Sequence, residues 1–202
     1  MLLTRSRLNR AAVRFAGHGW PVVPGAYLTG GRFECGHPGC PTTSCHPAMA
    51  RWEEVATDDP ARAGRWWRTA RYSVLLVTGR AFDVLEVPAP LGARALGSPR
   101  WSAGPVAATP AGRWMFLVRP GTPLRRELDR PDVVRHARGS WIPAPPTQTP
   151  AGAVWWVVSP PEVGWLLPSP DEVQQLLVDA VVATAPPAAE PLLLAARLAR
   201  AA

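Results

Sequence analysis

The chain has 202 residues, 47% of them hydrophobic, which suits one domain with its own core. No run of about 18 apolar residues occurs, and the N-terminus MLLTRSRLNR has neither the apolar stretch nor the cleavage site of a secretory signal, so a cytoplasmic protein without a transmembrane helix is expected. The net charge of +7 is carried by 22 Arg and no Lys, with +10 over residues 1–138 and −3 over residues 139–202, a balance that fits a nucleic-acid partner and equally an arginine-rich coding bias.

The first element is a helix over 5–19, where Leu8, Ala12, Phe15 and Ala16 recur at helical spacing and Gly17 and Gly19 can end it. WPVVP (20–24) reads as a short strand, and 28–50 as a loop rich in Gly, Pro and Cys. A second helix over 58–70 begins with Asp59 as N-cap and Pro60 at its first position. YSVLLVTG (72–79) and FDVLEV (82–87) are apolar strands separated by Gly79. Residues 88–104 read as irregular with at most one helical turn. VAAT (106–109) and RWMFLV (113–118) form a hairpin across Pro110–Gly112. A short helix is expected at PLRREL (123–128), and strands at SWIPAPP (140–146) and AVWWVV (153–158). Ser169, Pro170 and Glu172 open a helix to about Ala183, followed by a linker APPAAEP (185–191) and a closing helix or frayed tail. Strands and helices mix without strict alternation, so the expected fold is α+β, with a mixed, largely antiparallel sheet and flanking helices. The expected division is a domain over 1–168, carrying a small Cys/His loop insert at 33–47, and a helical tail over 169–202.

All three Cys lie at 35, 40 and 45, interleaved with His37 and His46. A disulfide framework spreads its Cys along the chain, whereas a tight Cys/His cluster on a Gly and Pro-rich loop suits structural zinc. The expected ligands are Cys35, Cys40, Cys45 and His46, with His37 as the alternative to Cys45. Neighbours such as Cys45 and His46 rarely bind one ion without strain, and a metal-free reduced loop is the plain alternative.

FDVLEVP (82–88) carries two carboxylates on a strand. Alternation puts Asp83, Leu85 and Val87 on one face and Phe82, Val84 and Glu86 on the other, so Asp83 and Glu86 cannot form a metal pair as strand neighbours.

The order of segments over roughly 8–168 resembles the N-terminal primase-polymerase domain of bifunctional DNA primase/polymerases, in the archaeo-eukaryotic primase superfamily. The residues that carry the resemblance are GWPVVP (19–24), the loop ending His46-Pro47, WEEVATDDP (52–60), the tandem Trp66-Trp67, VTG (77–79), GRWMF (112–116) and APPT (144–147). The resemblance implies nucleotidyl transfer with Mg²⁺ or Mn²⁺ held by an Asp-x-Asp pair on the strand after VTG. Those positions are Glu86 and Pro88 here. It implies a His on the hairpin strand at a place held by Trp114, after Gly112-Arg113, and a third Asp where Val133 stands beside Asp132 and ahead of Arg135.

Two-metal catalysis needs carboxylates that fix both ions. The reading is therefore a primase-polymerase-like protein with a degenerate active site that acts by binding nucleic acid or nucleotide. Arg113, Trp114 and Arg135 are the expected binding residues, and Glu86 and Asp132 what remains of the catalytic set. Two alternatives stay open: an active template-dependent primase/polymerase using Glu86, Asp132 and Asp83, and an interaction or regulatory domain on the same scaffold. Expected partners are single-stranded template or nucleotide and a separate helicase or replication protein, with no membrane. His18 and His136 receive no role.

Overall fold

A computed structural model describes residues 2–101 and 103–183, so the linker and closing helix expected over 185–202 lie outside the described residues. The first half runs α1 (Leu2–Gly17), β1 (Val22–Gly25), β2 (Tyr27–Thr29), β3 (Arg32–Glu34), α2 (Trp52–Val55), α3 (Pro60–Thr69), β4 (Ser73–Val77) and β5 (Asp83–Pro88). The second half runs α4 (Ala89–Leu96), β6 (Val106–Thr109), β7 (Arg113–Val118), β8 (Val134–His136), β9 (Trp141–Pro143), β10 (Gln148–Thr149), β11 (Gly152–Ala153), β12 (Trp155–Val158) and α5 (Pro170–Val182).

The local reasons are those of the sequence. In α1 the spaced Leu8, Ala12, Phe15 and Ala16 are all buried. At α3, Asp59 accepts a hydrogen bond from Ala61 N at 2.8 Å, and Pro60 takes a first-turn position that needs no N–H. The β6–β7 hairpin turns at Gly112, whose φ of 74° suits glycine.

Every strand pair is antiparallel, and the mixed α+β class holds. A small sheet has the order β1-β4-β9 and a large one β12-β6-β7-β5-β8, with two-stranded ribbons β2–β3 and β10–β11 beside them. One core joins α1 and α3 to a face of the small sheet (Val22, Val74, Leu76) and a face of the large sheet (Val84, Met115, Leu117). A second core lies on the other face of the large sheet, under α4 and α5, through Leu85, Val87, Phe116 and Leu177. A third backs the small sheet with Val23, Leu75 and Val77. Burial on both faces explains why SVLLV reads as a continuous apolar run.

Three expectations change. Residues 89–96 form the helix α4, not an irregular stretch; Pro88 and Pro90 sit at its start, where proline is tolerated, and Leu91, Gly92 and Ala95 are buried. PLRREL is reduced to a 3₁₀ turn, Arg126–Leu128. Ser169 makes no side-chain cap on α5, and the reciprocal Ser/Glu box forms instead at Ser159 and Glu162.

α5 packs on the second core with Val173, Leu176, Leu177 and Ala180. Its Gln174 is fully buried, accepting from Arg125 N at 2.7 Å and donating to Pro123 O at 3.1 Å.

Candidate functional site

β5 lies between β7 and β8, and its register sets the site. Glu86 stands opposite Met115 on β7 and Val134 on β8, and Pro88 opposite Arg113. The Glu86 Oε1 accepts from Arg113 Nε at 2.7 Å, and Oε2 lies 2.8 Å from His136 Nε2. His136 Nδ1 is in turn 2.9 Å from Ser140 Oγ. The side chains are only partly exposed: 20% for Glu86, 24% for Arg113 and 17% for His136. Burial pushes the Glu86 carboxyl up, but the hydrogen bonds and charges of His136 and Arg113 together outweigh it and hold the group below its ordinary value.

Asp83 faces the other way, as strand alternation requires. It is 3% exposed in its side chain, pairs with Arg135 at 2.7 Å and accepts from Gly121 N at 3.2 Å. The two arginines expected to share a binding site are therefore divided, Arg113 beside Glu86 and Arg135 beside Asp83 on opposite faces of one sheet.

Trp114 departs from expectation. It lies opposite Val87 and Ala108, on the second-core face, tilted against Phe116 at 6.5 Å. It packs on α4 so closely that a Cβ on Gly92 would come within 2.8 Å of its ring. Alternation thus turns Trp114 away from Glu86, and the residue that occupies the space beside Glu86 is Arg113. Val133 is buried in the second core, and Val134, apolar and 40% exposed, faces Glu86. Asp132 is held by Arg130 at 3.0 and 3.1 Å. Its carboxyl is lowered chiefly by that hydrogen bond, with the charge of Arg113 a smaller contribution.

The Asp-x-Asp pair that would hold two catalytic divalent ions is not formed on β5, where Glu86 and Pro88 stand in its place. The Glu86 face of β5 offers one carboxylate, both its oxygens are engaged, and neither Pro88 nor Val134 supplies a second. His136 is the site residue that sequence reasoning missed. Nothing in VVRHARG announces a three-residue strand paired with β5.

In the Cys/His loop, the ligand atoms of Cys35, Cys40 and His46 lie within 4.8 Å of one another, and the three could hold a metal ion. Cys40 Sγ is 3.5 Å from His46 Nε2, while His46 Nδ1 is bonded to Ser44 O at 2.7 Å, which orients the ring. The Cys40 thiol is lowered first by a backbone hydrogen bond at Thr42 and then by Cys35. Cys45 is not part of this trio. It packs against the third core, and burial pushes its thiol up to about 12, against a smaller opposing hydrogen bond from Ser73. His37 is bonded to Ala48 O at 2.9 Å.

Among the described residues no helix is long and apolar enough to cross a membrane. No curated protein matches the chain. The model of one family, described as bifunctional DNA primase/polymerase, N-terminal, matches residues 12–173.

Proposed function

The chain belongs to the family of bifunctional DNA primase/polymerase N-terminal domains, and within that family we propose that this member has given up nucleotidyl transfer and acts by binding nucleic acid or nucleotide. The observation that carries the reading is the state of Glu86: its oxygens are taken by Arg113 and His136, neither Pro88 nor Val134 supplies a second carboxylate, and Asp132 is itself held by Arg130. Two ions bound for in-line displacement would have to displace both partners and find further ligands. The basic balance of residues 1–138 supports an anionic partner. In this reading the domain is cytoplasmic and works beside a separate helicase or replication protein.

The test is incorporation of nucleotides on primed and unprimed single-stranded templates with Mg²⁺ or Mn²⁺. The expected result is none, together with template or nucleotide binding that weakens as salt rises. Incorporation that disappears in a Glu86→Ala variant overturns the reading in favour of an active enzyme. Absence of both incorporation and binding favours an interaction domain.

The metal loop takes zinc in this reading. Cys35, Cys40 and His46 supply soft and imidazole donors that suit it, and a fourth position remains for another ligand. One equivalent of Zn²⁺ is expected to bind in competition with a chromophoric chelator. Cys40→Ser or His46→Ala should weaken it by about tenfold or more. Cys45→Ala should leave it within about twofold, because that thiol packs elsewhere. Equal losses in all three variants would restore Cys45 as a ligand.

A further inference from the structure

A groove of about 720 Å³ runs along α1, between that helix and the segment around Trp156 and Trp165. Arg7, Arg10 and Arg14 line it, and among the described residues no Asp or Glu does. The three arginines are exposed and recur at helical spacing, so they form one stripe. None of them enters an ion pair with a carboxylate among the described residues, unlike Arg51, Arg113, Arg130 and Arg135. Three unneutralised cations beside an apolar wall make a site for a ligand that is both anionic and flat-faced.

The aromatic wall is held from beneath. Phe15 of α1 meets Trp156 and Trp165 edge-on, with centroids 6.0 and 6.3 Å apart. Trp165 has φ 62°, a left-handed conformation that costs a non-glycine residue energy and is retained where surroundings fix it. His18 stacks on its ring at 3.5 Å, and the Arg14 guanidinium lies 5.6 Å from the ring centroid. The groove also shares a sheet face with Glu86. Trp156 pairs with Ala107, Ala107 with Met115 and Met115 with Glu86, so Trp156 stands three strand spacings away on the same side, about 14 Å.

We infer that this groove, and not the space at Glu86, is where the domain holds single-stranded nucleic acid, with Arg7, Arg10 and Arg14 on successive phosphates and Trp156 beneath a base. The inference rests on the binding reading above and gives it a location. The stripe from Arg7 to Arg14 covers about 10 Å of helix, the length of about three stacked nucleotides. Phosphates meet the unpaired guanidiniums and bases meet the indole, which is how sequence-tolerant single-strand sites are built.

The test is fluorescence anisotropy of a labelled oligothymidine with the full chain, over a salt series. The paired variant Arg10→Ala/Arg14→Ala changes two exposed side chains and should keep the fold. It is expected to bind at least tenfold more weakly, and its slope of log affinity against log salt should fall by about 1.4, two contacts at 0.7 each. Trp156→Leu should lose about tenfold with the slope unchanged, its fold checked by circular dichroism. If the wild type binds and the arginine pair binds equally with the same slope, or if Arg113→Ala alone abolishes binding, the groove is wrong and the binding reading stands. If the wild type does not bind the oligonucleotide at all, the groove is wrong and the binding reading keeps only its nucleotide form, which falls as well if a labelled nucleotide does not bind. Binding of polyglutamate as tight as that of the oligonucleotide would assign the groove to an acidic protein partner and overturn the inference.

Discussion

Asp83→Ala is expected to cost about 3 kcal/mol of folding stability and to lower the melting temperature by about 6–12 °C. The carboxylate is 3% exposed and holds Arg135 at 2.7 Å and the backbone of Gly121 at 3.2 Å. Removing it leaves a guanidinium that is only 25% exposed facing the second core without its counter-charge. The loss comes less from the attraction than from the charge left behind. Arg135→Met strands the carboxylate instead and should cost at least as much, because Asp83 is the more deeply buried partner. The double variant Asp83→Val/Arg135→Met should recover most of either loss, since two apolar side chains need no partner. Thermal denaturation of the three proteins decides it. A loss below about 1 kcal/mol in both single variants would show the pair to be ornamental.

Glu86→Gln is expected to cost about 2 kcal/mol at neutral pH and nearly nothing in acid. Glu86 titrates below its ordinary value in the folded protein because His136 and Arg113 outweigh its burial. A carboxyl lowered by folding contributes stability above the unfolded value near 4.5, and that contribution fades as pH falls through the lower folded value. The stability difference between wild type and variant should therefore close progressively as pH falls below about 5. Denaturant melts at pH 7, 5 and 3.5 measure this. A difference that stays constant down to pH 3.5 would mean that the carboxylate is not what Arg113 and His136 hold. The result also measures how far Glu86 ties β5 to β7 and β8 through Arg113 and His136.

Much of the scaffold was legible because its signals are local. The apolar stripe of α1, the Asp59-Pro60 start of α3 and the hairpin turn at Gly112 are each written within a few residues. Asp83 and Glu86 were correctly assigned to opposite faces, since alternation follows from the strand alone. What was not legible is register. That Glu86 faces Met115, and hence that Arg113 and not Trp114 lies beside it, depends on which residues pair between strands, and no local pattern states that. His136 was missed for the same reason, on a strand too short to show a period. α4 was hidden by Pro88 and Pro90, residues that read as breakers until they stand at a helix start. In the metal loop, the reluctance of neighbours to share one ion was visible at Cys45 and His46. The burial that draws Cys45 into the third core was not.

Gln174, buried on α5 and bonded to Arg125 and Pro123, bears on how the chain can be divided. A fragment ending at residue 168 would lose that amide and leave Leu85, Phe116 and Val118 without the cover of Val173 and Leu177. The bared back of the large sheet would be a contiguous greasy strip of the kind that drives self-association. The large sheet thus owes its freedom from self-association to the helix that follows it, and a fragment meant to stay dispersed has to run through Ala183.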